Sequence, residues 1–141
     1  MKQSGMTLIE LMVVVVIVGI LASIAVPAYT AHIVRGKIAQ GTEALSEAKV
    51  RMEQNFNSMR SYYGNATAGT CPDLSAVFSD APFSVSVACT ATTFTVTATG
   101  QAAKGMSGYS YTIDQSGSKT SKTPASTTQS CWLMTKDATS C

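Results

Sequence analysis

Cysteine, histidine and carboxylate side chains carry most covalent and acid–base chemistry, and in this chain they are few and far apart. The four cysteines stand at positions 71, 89, 131 and 141, with no CxxC pair. Zinc sites and dithiol redox motifs place two such ligands close together, so this spacing points away from both. An even cysteine count in a small polar domain points instead to two disulfides formed in an oxidising compartment. Three connectivities fit four cysteines; the sequence-local one, Cys71–Cys89 with Cys131–Cys141, is the expectation. His32 is the only histidine and stands beside an apolar run, so it is read as structural. The eight acids are scattered and make no acidic calcium loop. P-loop, GxGxxG, GxSxG and HExxH patterns are all missing. The chain is therefore expected to be no enzyme and to need no cofactor or metal.

One carboxylate is out of place. In "GMTLIELMVVVVIVGILASIAVPAY", Gly5 to Tyr29, the segment from Met6 to Val26 carries a single charge, Glu10. Near the centre of a spanning helix an acid costs roughly 2.5–3.5 kcal/mol. The 24 residues from Met6 to Tyr29 make a helix of about 36 Å, long enough to cross a hydrocarbon core of about 30 Å. An ordinary secretory signal has a more basic start and an A-x-A-like cleavage site. A plain single-pass anchor explains the segment except for Glu10, and it gives the leader "MKQSG" no purpose. Gly19 and Pro27 interrupt the apolar run. Proline removes a backbone donor and crowds the preceding turn, and glycine costs about 1 kcal/mol relative to alanine.

These residues resemble the N-terminus of type IV prepilins: a short basic leader ending in glycine, an apolar helix with glutamate at its fifth residue, and a proline further on. The resemblance implies cleavage between Gly5 and Met6 by a prepilin peptidase, followed by N-methylation of Met6. Met6 departs from the phenylalanine usual at that place. The resemblance also implies that Thr7, Glu10, Gly19 and Pro27 serve assembly. Glu10 would face the N-terminal amine of a neighbouring subunit, and the stretch from Gly19 to Pro27 would unwind in the filament. Physical chemistry supports the pairing. Cleavage creates a cation four residues before Glu10, buried charges persist when paired, and the first helical turns favour an acid. In the free subunit, Glu10 can instead reach the membrane interface.

The elements that position these groups follow from periodicity. Beyond Pro27, Val34, Ile38, Gly41, Leu45, Ala48, Met52, Phe56, Met59 and Tyr63 recur in steps of three and four, an amphipathic stripe expected to pack on a sheet. Glu47–Arg51 and Lys49–Glu53 form i,i+4 pairs, while Glu43 and Glu47 repel. The helix is expected to end near Gly64. Residues 65–82 read as a connecting loop with a helical turn around Asp73 to Phe78. Asn65-Ala66-Thr67 matches the N-glycosylation acceptor pattern, by chance in a bacterial filament.

Three segments alternate apolar and hydroxyl residues: Phe83–Val87, Phe94–Thr99 and Tyr109–Asp114. Gln115–Ser118 is a turn, with Gly117 able to take positive φ, and a polar fourth strand is expected at Lys119–Lys122. Residues 116–130 hold nine Ser or Thr and one proline, a loop-like composition. The expectation is an α+β pilin fold: a long N-terminal helix against a four-stranded antiparallel sheet, closed by a disulfide-bounded C-terminal loop. The domain division is leader 1–5, polymerisation helix half 6–29, amphipathic half 30–63 and head 64–141. Trp132 is expected in the core, and Lys136 and Asp137 at an exposed loop tip. That loop resembles the cysteine-bounded loop of pilins that serves adhesion or ligand binding.

The formal charge of +2 does not by itself imply a nucleic-acid partner. The stretch from Tyr62 to Trp132 nevertheless resembles the minor pilins that include DNA-uptake receptors. Candidate phosphate contacts are Arg60, Lys104, Lys119, Lys122 and Lys136. The reading is a structural pilus subunit serving adhesion, twitching motility or DNA uptake. The alternatives are a DNA-binding minor pilin and a pseudopilin of type II secretion. Implied partners are other pilin subunits, prepilin peptidase, the inner membrane with the assembly machinery, and DNA or a host surface. The precursor is expected in the inner membrane with its head periplasmic, and then in an extracellular filament.

Overall fold

The computed structural model describes residues 6–64, 69–78 and 81–141. The cleavage-site residue Gly5 and the Asn65-Ala66-Thr67 pattern lie outside them. The chain divides into two compact units, one ending at Ile33 and the other Val34–Cys141.

Helix α1 is Leu8–Met59. The Thr7 carbonyl accepts the Leu11 amide at 3.2 Å and its hydroxyl accepts the Glu10 amide at 3.3 Å. Thr7 thus occupies the N-cap and Glu10 the third helical place, the Thr-x-x-Glu order of a capping box. Helical geometry continues through Pro27. Around it, Ser23 Oγ donates to the Ile20 carbonyl at 2.7 Å and Thr30 Oγ1 donates to the Pro27 carbonyl at 2.9 Å. A Cβ at Gly19 would meet nothing within 4 Å, so packing within the chain does not demand glycine there.

In the second unit, Ile38, Ala44, Leu45, Ala48 and Met52 of α1 are buried with the sheet's inner face. Gly41 belongs to this stripe for a steric reason. A Cβ there would stand 2.6 Å from the Phe83 ring, closer than carbon atoms pack. The stripe stops before Met59, which is 49% exposed, and the helix ends there rather than near Gly64. Arg60 takes left-handed φ 56, and its amide still reaches the Phe56 carbonyl at 2.7 Å. Asn55 Nδ2 then donates to the carbonyls of Ser61 and Tyr63 at 3.2 and 2.8 Å, folding the chain away. Tyr63 is therefore outside the helix. Tyr62 returns to the core between the Phe56 and Phe94 rings, with centroids 4.6 and 4.8 Å away.

The sheet has five antiparallel strands in sequential order, not the expected four. They are β1 (Phe83–Cys89), β2 (Phe94–Gly100), β3 (Ser110–Asp114), β4 (Lys119–Thr123) and β5 (Ser126–Gln129). Strand β5 lies in the segment read as loop-like. It is an edge strand without one apolar residue, so it offers no period-2 signal, and it pairs to β4 through an irregular register between Ser121 and Thr123. Phe83, Val85, Phe94, Val96, Ala98, Tyr111 and Ile113 point into the core. The opposite face carries hydroxyls in cross-strand rows: Ser86, Thr97, Thr112 and Thr120 are successive partners, as are Ser84, Thr99 and Ser110, the last opposite Lys122.

Candidate functional site

Three regions bear the expected functional residues. The first is the start of α1. Met6, Thr7 and Glu10 are exposed, as is the apolar surface from Leu8 to Tyr29. Because Thr7 caps the helix, the Glu10 carboxylate stays at its positive end, where the macrodipole favours an anion.

The second region is the C-terminal loop. Cys131 and Cys141 are joined, as are Cys71 and Cys89. Inside the loop, Leu133 is buried and anchors it to the sheet. Its carbonyl accepts the Tyr111 hydroxyl at 2.8 Å, and its amide donates to Ser121 Oγ at 3.1 Å. Ser121 Oγ donates in turn to the Cys131 carbonyl at 2.6 Å. Burial pushes the Tyr111 phenol well above its ordinary value, with Tyr109 adding to the effect, so Tyr111 remains a donor. Trp132 is half-buried against the core rather than within it. Its Nε1 donates to the Thr112 carbonyl at 2.9 Å, and Lys119 Nζ lies 4.3 Å from its ring centroid. Lys136 and Asp137 are exposed. Burial raises the Tyr109 phenol above its ordinary value, and the Asp137 charge adds to the effect.

The third region is the loop between α1 and β1. The Cys71–Cys89 bond ties it to the end of β1, the Tyr62 amide donates to the Ala91 carbonyl at 3.2 Å, and the Gly64 amide donates to the Thr70 carbonyl at 2.8 Å.

The five candidate cations do not form one patch. Arg60 follows the last residue of α1, Lys104 ends the 3-10 turn Ala102–Lys104, and Lys136 sits in the C-terminal loop. Lys119 and Lys122 share β4 but are three residues apart, so strand alternation sends them to opposite faces. Lys119 lies on the row of buried Ser121 and Thr123, and Lys122 on the hydroxyl face. Sequence reasoning missed Ser121, Asn55 and Lys37. Ser121 is one hydroxyl among nine in its segment, and nothing local marks it as the one facing inward. Among the described residues no group of three His, Cys, Asp or Glu could hold a metal ion.

A methylation-type N-terminus on a capped apolar helix, with an amphipathic helix half packed on an antiparallel sheet and a disulfide-closed C-terminal loop, makes this a type IV pilin. The family described as prokaryotic N-terminal methylation motif matches residues 1–26. The family described as type IV minor pilin ComP, DNA uptake sequence receptor, matches residues 27–131, and the chain belongs to that family. It is also similar to type IV major fimbrial protein FimA of Dichelobacter nodosus, 51% identical over 54 residues, which is 38% of this chain and 34% of that protein. A fimbrial protein of the same organism matches equally, at 51% over 54 residues. The chain thus spans about a third of the length of these curated relatives. Such a leader and apolar helix make the precursor a membrane-anchored protein whose destination is an extracellular pilus.

Proposed function

We propose that the chain is cleaved between Gly5 and Met6 by a prepilin peptidase, methylated on Met6, and polymerised with other pilin subunits through residues 6–29. In the pilus it acts as a minor subunit that receives DNA, with no catalytic role. The single observation that carries this reading is the extent of the family match. It runs over 27–131 and so takes in β1 to β5 with Cys71, Cys89 and Cys131.

Lys122 is the cation that the sheet's hydroxyl face offers, opposite Ser110 in the row of Ser84 and Thr99. Lys119 and Lys136 lie apart from it, Lys119 on the other face of β4 and Lys136 in the loop that Ser121 holds on that side. Among the described residues none of these three pairs with a carboxylate within salt-bridge distance. Phosphate contacts by lysine make affinity fall with salt by a log–log slope of about −0.9 per contact. Gel retardation of a DNA duplex by the full chain, titrated with salt, tests the reading. Retardation whose slope falls by about one in Lys122→Gln supports it. No salt-dependent retardation at micromolar protein removes the receptor role and leaves a structural subunit, for which the fimbrial relatives speak.

A further inference from the structure

The cations of the head unit are unevenly neutralised. Midway along its helix, Lys49 meets Glu53 at 3.3 Å and Arg51 meets Glu47 at 2.7 Å. Near the unit's N-terminal end, Arg35 and Lys37 have no carboxylate partner among the described residues. Sequence explains why: no acid occurs between Glu10 and Glu43.

A third cation joins them from a distant segment. Lys37 Nζ donates to the Lys104 carbonyl at 2.7 Å, across 67 positions of sequence. That bond fixes Lys37 against the 3-10 turn Ala102–Lys104, whose last residue is itself a lysine. The turn is closed by Gly105 at φ 72. A Cβ there would stand 3.9 Å from Lys37 Nζ, with no other heavy atom within 4 Å. The ammonium group of Lys37 is therefore held at an open corner beside Lys104, while Arg35, two residues earlier in α1, projects from the other side of the helix at nearly the same level, so that the cations ring the helix.

Chain continuity ties this corner to the bilayer. Arg35 and Lys37 come nine and eleven residues after Val26, where the uncharged run ends. Cations that close to a membrane segment meet the phosphate layer, and each favours an anionic surface by about fivefold.

We propose that Arg35, Lys37 and Lys104 form a basic collar that binds the phosphate head groups of anionic phospholipids while the subunit is anchored in the membrane. The collar holds the waiting head at the bilayer surface and is vacated when the subunit enters the filament.

Spin-label lipid selectivity of the full chain tests this directly. The chain is reconstituted in phosphatidylcholine vesicles carrying a trace of nitroxide-labelled phosphatidylglycerol or phosphatidylcholine. The expected result is a preference for labelled phosphatidylglycerol of about fivefold or more at low salt, falling towards one at 1 M salt as screening sets in. R35Q/K37Q/K104Q brings the preference towards one at low salt, whereas the charge-conserving K37R/K104R and the distant K49Q keep it. Equal association of the two labels at low salt overturns the proposal. So does a preference that survives in the triple variant. A triple variant that loses DNA retardation while its lipid selectivity is unchanged assigns the collar to nucleic acid and likewise overturns the proposal. The lipid measurement contains no DNA, so its failure is distinct from failure of the receptor reading.

Discussion

Ser121 Oγ donates a 2.6 Å hydrogen bond to the carbonyl of Cys131, and the same oxygen accepts the Leu133 amide. One small side chain on β4 thereby satisfies a donor and an acceptor of the loop that carries Trp132 and Lys136. Ser121→Ala leaves both backbone groups unpaired at a site where Ser121 is almost fully buried. The expected loss is about 2 kcal/mol, read as a lower urea midpoint with unchanged slope. The disulfide still closes the loop, so faster proteolysis between Cys131 and Cys141 should accompany the loss. An unchanged midpoint would show that the loop is held by its covalent closure alone.

The end of α1 offers a pair of opposite outcomes. Arg60 adopts a left-handed conformation that costs a residue with a side chain roughly 1 kcal/mol or more relative to glycine. Arg60→Gly should therefore stabilise the head by up to about 1 kcal/mol. Asn55→Ala removes the two side-chain bonds to Ser61 and Tyr63 and should destabilise by about 1–2 kcal/mol. Thermal unfolding of the two variants checks both signs.

The sequence revealed elements wherever one face is apolar and the other polar. Phe83, Val85, Phe94, Val96, Tyr111 and Ile113 alternate with hydroxyls, so three strands and their inner faces were legible. Ile38, Leu45 and Met52 likewise declared the packed side of the helix. Strand β5 was not legible because Ser126–Gln129 contains nothing to bury; its existence depends on backbone pairing to β4. The helix end was misplaced because Gly64 is a good terminator while the actual left-handed residue, Arg60, is a poor one. Asn55 makes up for it from five residues upstream, a tertiary remedy with no local signature. The same limit applies to the candidate site. Lys119 and Lys122 look like neighbours in the sequence, yet strand alternation separates them. The contact between Lys37 and Lys104 joins residues whose relation only the fold creates.

Acid sensitivity is set in part by the β3–β4 hairpin. Asp114 accepts the Ser116 hydroxyl at 2.6 Å and the Ser116 and Ser118 amides at 2.9 Å each. The Ser116 hydroxyl is the largest of the effects that hold its carboxyl below the usual range; burial opposes it, and the backbone amides add to it. A carboxylate with a depressed folded pKa contributes stability above its unfolded value, near 3.9, and that stability is lost as pH falls through the folded value. Wild type should therefore lose stability as pH falls below about 4, and Asp114→Ala should lose less over the same acid range while starting lower at pH 7. Parallel curves for the two proteins would remove the hairpin from the acid response.

Glu10 is the last group to be accounted for. In the free chain its amide is capped by Thr7, and its carboxylate sits at the helix's positive end. Neither contact needs a second subunit, so Glu10→Val should insert in the membrane, be cleaved at Gly5 and fold its head normally. Polymerisation is different. If the carboxylate pairs with the amine of an adjoining copy, its removal leaves that cation buried without a partner, at a cost of about 3–5 kcal/mol. Even at the lower end this weakens subunit addition by about a hundredfold or more, so filament yield should collapse while membrane-bound mature subunit accumulates. Glu10→Gln retains polar character without charge and should fall in between. Immunoblots of sheared-filament and membrane fractions for the three proteins measure the partition. Equal filament yield from Glu10→Val would mean that the acid serves only the single subunit, and its place within an apolar helix would then follow from the capping pair with Thr7.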